Sequence, residues 1–121
     1  MNLTGRVIAC ALEVHRNLGC GFLESVYEHA LACEMATRRI PFRRQSAIDV
    51  FYRQQRIGRF VADFIVSDEL LLELKALQRI VPSSQAQTLH YLKATGLHVG
   101  LILNFGSEHL QIKRMVMNYE N

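Results

Sequence analysis

The chain has 121 residues, 50% of them hydrophobic and 21% charged, an ordinary globular balance; as one domain spanning residues 1–121 it is long enough to bury roughly two-thirds of its unfolded surface. No apolar run reaches the length of a membrane span, no signal peptide opens the chain, and three cysteines (Cys10, Cys20, Cys33) lack paired metal-ligand spacing, so a cytoplasmic protein with reduced thiols and no membrane partner is expected. The formal net charge of +3 suits an anionic partner without demanding one.

From Thr4 to about Leu18, Val7, Ile8, Ala11, Leu12 and Val14 recur at helical spacing, with Thr4 a candidate N-cap. Gly19-Cys20-Gly21 ends that helix, because glycine readily takes the left-handed C-cap conformation. A second helix is predicted from about Leu23 to Arg38, with Leu23, Val26, Tyr27, Ala30, Leu31 and Met35 as its buried stripe. Glu24 lies at the border of the stripe, placed to lean toward the core or simply to favour the helix dipole. Pro41 marks the exit, since the residue before a proline is pushed from helical angles. Phe42 to Tyr52 then alternates as a strand with Ile48, Val50 and Tyr52 on one side. Arg53-Gln54-Gln55-Arg56 reads as the turn into a strand from Ile57 to Val66. The arginines are bunched (Arg38, Arg39, Arg43 and Arg44, then Arg53, Arg56 and Arg59), which fits either a solvated face or phosphate contact.

The next step carries the chemistry. Phe60 to Val66 and Leu70 to Lys75 are aliphatic arms around the polar break Ser67-Asp68-Glu69, the pattern of a hairpin. With those three residues as the turn, Val66 faces Leu70 and, counting back, Asp63 faces Glu73. Directly opposed side chains lie about 4.5–5.5 Å apart at Cβ. Lys75 is two residues beyond Glu73, so it shares the face. Two carboxylates and an ammonium therefore converge on an otherwise apolar sheet. A three-member salt-bridge cluster would explain them; so would a divalent cation, which takes carboxylate oxygens and keeps waters for chemistry.

After Lys75, Pro82-Ser83-Ser84 opens a helix to about Thr95, with Ser83 or Ser84 as N-cap and Gly96 as its stop. Gln87 and Tyr91, four apart, share one of its faces, although Ser84-x-x-Gln87 also fits a capping box. Leu97 to Phe105 is almost continuously apolar, as in a strand buried on both faces. Reaching it through a helix implies a parallel crossover. Leu110 to Met117 is a last strand. His29 and Cys33 share a helical face, but no third ligand has suitable spacing for zinc. No Ser-His-Asp pattern or glycine-rich phosphate loop is present.

Asp63 followed by Glu73-Leu74-Lys75 on the next strand resembles the core motif of the PD-(D/E)XK nuclease superfamily. Gly21-Phe22-Leu23-Glu24-Ser25-Val26-Tyr27 matches the GxxExxY signature that names a family of small members. With Ala62-Asp63 and Asn104-Phe105-Gly106 the likeness covers nearly the whole chain, and Gln87-x-x-x-Tyr91 is similar to an arrangement of RecB-like members that lines the active site and holds DNA. The resemblance implies an α/β, restriction-endonuclease-like core: a central mixed β-sheet flanked by helices, in the order α-α-β-β-β-α-β-β. It implies a nuclease that uses Mg²⁺ or Mn²⁺, with DNA favoured over RNA. Asp63 and Glu73 would hold the metal, the Leu74 carbonyl would be a further ligand, and Glu24 would complete the acidic cluster. Lys75 would position the attacking hydroxide or offset charge on the phosphorane. Gln87 and Tyr91 would bind the nucleic acid, the bunching of the arginines adds Arg43 and Arg44 as its phosphate contacts, and Tyr27 would pack in the core. The rival reading is a non-catalytic nucleic-acid-binding or protein-interaction module that keeps the fold. The chain is close to the minimum for such a core, so a homodimer or a partner protein would supply what it lacks for target choice.

Overall fold

The computed structural model describes residues 1–119. The predicted elements occur in the predicted order: α1 (Leu3–Leu18), α2 (Glu24–Thr37), β1 (Phe42–Tyr52), β2 (Gln55–Val66), β3 (Leu70–Lys75), α3 (Pro82–Thr95), β4 (Val99–Asn104) and β5 (Gln111–Val116). The strands form one five-stranded sheet in the order β1-β2-β3-β4-β5. β3 and β4 run parallel and the other neighbours antiparallel, so the sheet is mixed.

The period of two along the central strands decides what packs where. Leu70, Leu72 and Leu74 of β3, with Leu101 and Leu103 of β4, join Val7, Ala11, Tyr27, Leu31 and Met35 of α1 and α2. Leu71 and Ile102 point the other way and meet Tyr91 and Leu92 of α3. Covered on both faces, β3 and β4 must be apolar without a break, which is why they read as continuous runs.

Several boundaries differ from the sequence reading for physical reasons. Asn2, not Thr4, caps α1; its side chain accepts the Gly5 N–H at 2.8 Å. Leu23 is the N-cap residue of α2 and 77% exposed, and Val26 is exposed too, because the first turn of α2 reaches past the core. The buried stripe is Tyr27, Leu31, Ala32 and Met35. Pro82 starts α3 with Val81 as N-cap and no side-chain cap, so neither Ser83 nor Ser84 has that role. Proline suits the first helical position because its missing N–H would have had no partner there. The β1–β2 turn is Arg53 and Gln54 alone, both left-handed at φ 47° and 68°. Two such residues match the twist of the flanking strands. The pairing slips by one residue at Val50/Phe51. Ile48 is buried while Tyr52 is 61% exposed, so the three residues expected on one side do not share one environment.

The Asn104-Phe105-Gly106 segment holds the exit of β3. Asn104 is fully buried; its Oδ1 accepts the N–H groups of Leu77 (2.8 Å) and Gly106 (3.2 Å), and its Nδ2 donates to the Leu77 carbonyl and to Gln111 Oε1 (both 3.0 Å). Phe105 stacks on Tyr27 with ring centroids 4.8 Å apart, and its N–H donates to the Lys75 carbonyl at 2.8 Å. A Cβ on Gly106 would stand 2.4 Å from backbone atoms of Ala76 and Leu77. That contact is with main chain, which cannot rotate away. Gly106→Ala is therefore expected to destabilise the protein by about 3 kcal/mol, the upper end for overpacking, and to lower its melting midpoint by roughly 10 °C. Urea and thermal unfolding measure this; a midpoint within a degree or two of wild type would show that the loop yields.

Candidate active site

The β2–β3 turn sets the register of the site. Ser67 and Asp68 take left-handed φ values of 52° and 56°, and the Glu69 N–H closes on the Val66 carbonyl at 3.0 Å. Val66 then pairs with Leu70, Ile65 with Leu71 and Phe64 with Leu72. The next step brings Asp63 to Glu73, and there the backbone ladder gives way to side chains. Leu74 N–H donates to Asp63 Oδ2 at 2.8 Å, and Asp63 N–H donates to Glu73 Oε1 at 3.3 Å. Beyond this point β2 continues with β1 alone, so the two acids stand at a fork in the sheet.

Burial makes the pair costly. Glu73 is only 4% exposed. Loss of solvation, then the neighbouring charge of Asp63, pushes its carboxyl up to about 8. Burial also raises the carboxyl of Asp63, against the opposing pull of the Leu74 N–H. Lys75 lowers both, but not by enough to cancel the burial. Its ammonium is half-buried and donates to Gln87 Oε1 at 3.3 Å. Tyr91, one turn further along α3, is 6% exposed. Burial raises its phenol, and the charges of Glu73 and Asp63 raise it further. Gln87 and Tyr91 thus turn the same face of α3 to the acids, and the bond to Lys75 leaves no capping box at Gln87.

The first two turns of α2 face the fork from the other side. The Glu24 carboxyl is raised by partial burial and then by Asp63, with Lys75 opposing, which places it in the electrostatic field of the site. Glu28, four residues on and so on the same helical face, accepts from Arg44 at 2.9 Å and from Gln45. Gln45 Nε2 also reaches Asp63 Oδ1 at 3.3 Å. Gln45 sits at φ 46°, a left-handed angle within a strand that few non-glycine residues adopt. Sequence reasoning missed both residues. The spacing of four from Glu24 was a usable signal for Glu28; nothing local marks Gln45.

The arginines do not gather into one patch. Arg43 pairs with Asp68 at 3.0 Å, on the turn at the far end of β3 from Glu73. Arg44 is near the site, but Glu28 takes its charge. Arg38 pairs with Glu34 at 2.8 Å. Adjacent strand residues point to opposite faces, which separates Arg43 from Arg44.

The donor set is one of hard oxygens. Asp63 and Glu73 meet directly, with the Leu74 carbonyl between Glu73 and Lys75 in the chain. Among the described residues no three His, Cys, Asp or Glu side chains are close enough to share an ion, so Glu24 contributes field rather than a third direct carboxylate in this arrangement. Two opposed, desolvated carboxylates whose protons are held abnormally tightly have a vacancy for positive charge that one half-buried lysine does not fill. A divalent cation with carboxylate and water ligands fits that chemistry.

A mixed sheet backed by helices on both faces, with an acid on one strand and Glu-x-Lys at the end of the next, defines a restriction-endonuclease-like core. A family model described as the PD-(D/E)XK nuclease superfamily matches residues 1–115, and the chain belongs to that superfamily. No curated protein and no solved structure matches it.

Proposed function

We propose that the protein is a nuclease that hydrolyses phosphodiester bonds, with DNA as substrate and Mg²⁺ or Mn²⁺ as cofactor. The observation that carries this reading is the buried opposition of Asp63 and Glu73 with Lys75 one step along the same face. A salt-bridge triad meant only for stability would gain little from burial, because desolvation offsets most of the attraction.

Asp63 and Glu73 would hold the ion with the Leu74 carbonyl, and Glu24 would add negative charge at the rim. When bound, the ion lowers the pKa of a water and stabilises charge in an in-line displacement at phosphorus. Lys75 directs its ammonium to the attacking oxygen or to the charge that grows on the phosphoryl oxygens, and Gln87 holds that ammonium in place. Tyr91 forms a wall beside the acids against which the nucleic acid is oriented. The Leu74 N–H fixes the Asp63 carboxylate and favours its ionised form against the burial that opposes it, a preorganisation that costs nothing at the moment of reaction.

The test is incubation with linear, circular and single-stranded DNA, and with RNA, in Mg²⁺ or Mn²⁺. Asp63→Asn serves as the control, because it keeps an acceptor for the Leu74 N–H. Binding without cleavage under every metal condition would favour the non-catalytic module. Ion pairing also gives an expectation for salt: Arg43→Gln leaves the slope of log K against log [salt] unchanged. A true phosphate contact would flatten it by about one unit.

A further inference from the structure

Beyond the fork, β1 and β2 form a two-stranded arm, since β2 pairs with β3 only over Phe64–Val66 but with β1 as far as Gln55. An isolated ribbon would ordinarily keep its surface polar, yet Phe51 is 62% exposed and Tyr52, Ile57, Phe60 and Val61 are exposed as well. Between this arm and α3 lies a cleft of about 580 Å³, lined by Val50, Phe51 and Phe60 on one side and His90 and Lys93 on the other. That volume is in the range of small-ligand sites. Asp49 also borders it, but its carboxylate pairs with Arg59 at 2.9 Å and Arg56 at 3.8 Å. Arg53 lies over the Tyr52 ring, 5.5 Å from its centroid. Lys93 is exposed and makes no ion pair among the described residues.

The cleft adjoins the candidate active site through one contact. The Phe60 ring stands 5.1 Å from that of Tyr91, which packs in the apolar cluster under α3 and whose phenol feels the charges of Glu73 and Asp63. Aromatic faces beside cations, one residue removed from the catalytic carboxylates, match a nucleotide next to the cleaved bond. The charge selects among occupants: residues 49–61 carry three arginines against a single aspartate. A second copy of the arm would meet like charge, whereas a polyanion would meet opposite charge. Duplex bases have their faces covered by their neighbours, so ring stacking in a cleft requires an unpaired base.

We propose that the cleft between the β1–β2 arm and α3 is a base-stacking subsite that takes an unpaired nucleotide on Phe51 and Phe60, with Lys93 on its phosphate. The protein then prefers single strands, or single-stranded ends, to closed duplex. The subsite's relation to the cleaved bond rests on the nuclease reading; its binding of a single strand does not.

The experiment uses the full chain in EDTA, with a fluorescein-labelled single strand and the same strand annealed to its complement, followed by anisotropy. Phe51→Ala is expected to weaken single-strand binding about tenfold, with duplex affinity changed less than twofold, and Phe51→Trp to restore it. Lys93→Gln is expected to flatten the single-strand salt slope by about 0.7. Equal affinity of Phe51→Ala and wild type for the single strand overturns the proposal, as does an equal loss for both substrates. Sedimentation in parallel separates the remaining occupant: a wild-type dimer that Phe51→Ala dissolves, with strand affinity unchanged, makes the cleft a self-association surface. A cleavage assay in Mg²⁺ keeps the two readings apart. Phe51-dependent binding without cleavage sinks the nuclease and spares the subsite; cleavage with Phe51-independent binding does the reverse.

Discussion

Lys75→Ala is expected to lower kcat on the order of 10²–10³-fold while changing nucleic-acid affinity by no more than about threefold. An interaction made only as charge develops lowers kcat, whereas uniform binding lowers KM. Lys75 is at the end of β3, half-buried and held by Gln87, so its ammonium is fixed in place at the acids, where charge develops, and does not reach out to a ground-state phosphate. Asp63→Asn should behave differently, losing metal affinity and cleavage together, by about 10³-fold or more as expected when groups act as a unit. The choice of Asn over Ala matters. Relief of the Asp63–Glu73 repulsion by Ala would stabilise the metal-free fold, but it also strands the Leu74 N–H, at a cost of about 1–3 kcal/mol. Asparagine relieves the repulsion and keeps the acceptor. Single-turnover cleavage with isothermal metal titration separates the two residues. Equal losses of affinity and rate in Lys75→Ala would mean that the lysine merely holds the strand.

The second large effect is a pH dependence of stability in the metal-free protein, opposite to that of most carboxylates. Glu73 is pushed up to about 8 by burial and by Asp63, from an ordinary 4.5. Below the unfolded value both states are protonated and the group is neutral to stability. Between the two values the native state keeps a proton that the unfolded chain has released, so stability falls as pH rises, by about 1.4 kcal/mol per unit. Above the folded value the loss is complete and the curve levels. Asp63, raised in the same direction, adds to the trend. Urea unfolding in EDTA between about pH 5 and pH 8 should show a decline of several kcal/mol. Glu73→Gln should abolish most of it and be the more stable protein at the upper pH. A divalent ion should restore wild-type stability there by binding the native state alone, with affinity that rises with pH because it competes with protons. A flat apo curve would show that Lys75 already compensates the acids and that the cluster is structural.

How much of this was legible without coordinates depends on how local each determinant is. The pairing of Asp63 with Glu73 follows from a three-residue turn and the period of two, both contained in eleven residues, and the structure keeps that register. The common face of Gln87 and Tyr91 follows from helical spacing in the same way. Turn chemistry was less readable between β1 and β2. Arg53 and Gln54 adopt left-handed angles that sequence assigns to glycine or asparagine, so the pattern Arg53-Gln54-Gln55-Arg56 does not disclose a two-residue turn. Caps failed similarly: Asn2 rather than Thr4 caps α1, and with Pro82 at the first helical position of α3 its N-cap is Val81, not Ser83 or Ser84.

By itself the sequence determined the order of elements, the mixed sheet, the two-sided burial of β3 and β4, and which acids face each other, because each rests on spacing within one element or one turn. Only the tertiary structure decided how those acids behave. The fork at Asp63 exists because a carboxylate takes the Leu74 N–H that a ladder carbonyl would otherwise accept, and no local pattern says where a ladder stops. Arg43 and Arg44 look alike in the chain; the turn carrying Asp68 and the helix carrying Glu28 neutralise them from opposite ends of β3. Glu28 and Gln45 enter the site because α2 packs beside the open fork. The raised carboxyl of Glu73 comes from the α3 wall and the sheet excluding water around it. Desolvation is a property of everything packed about a group, so it is set only when distant segments have come together.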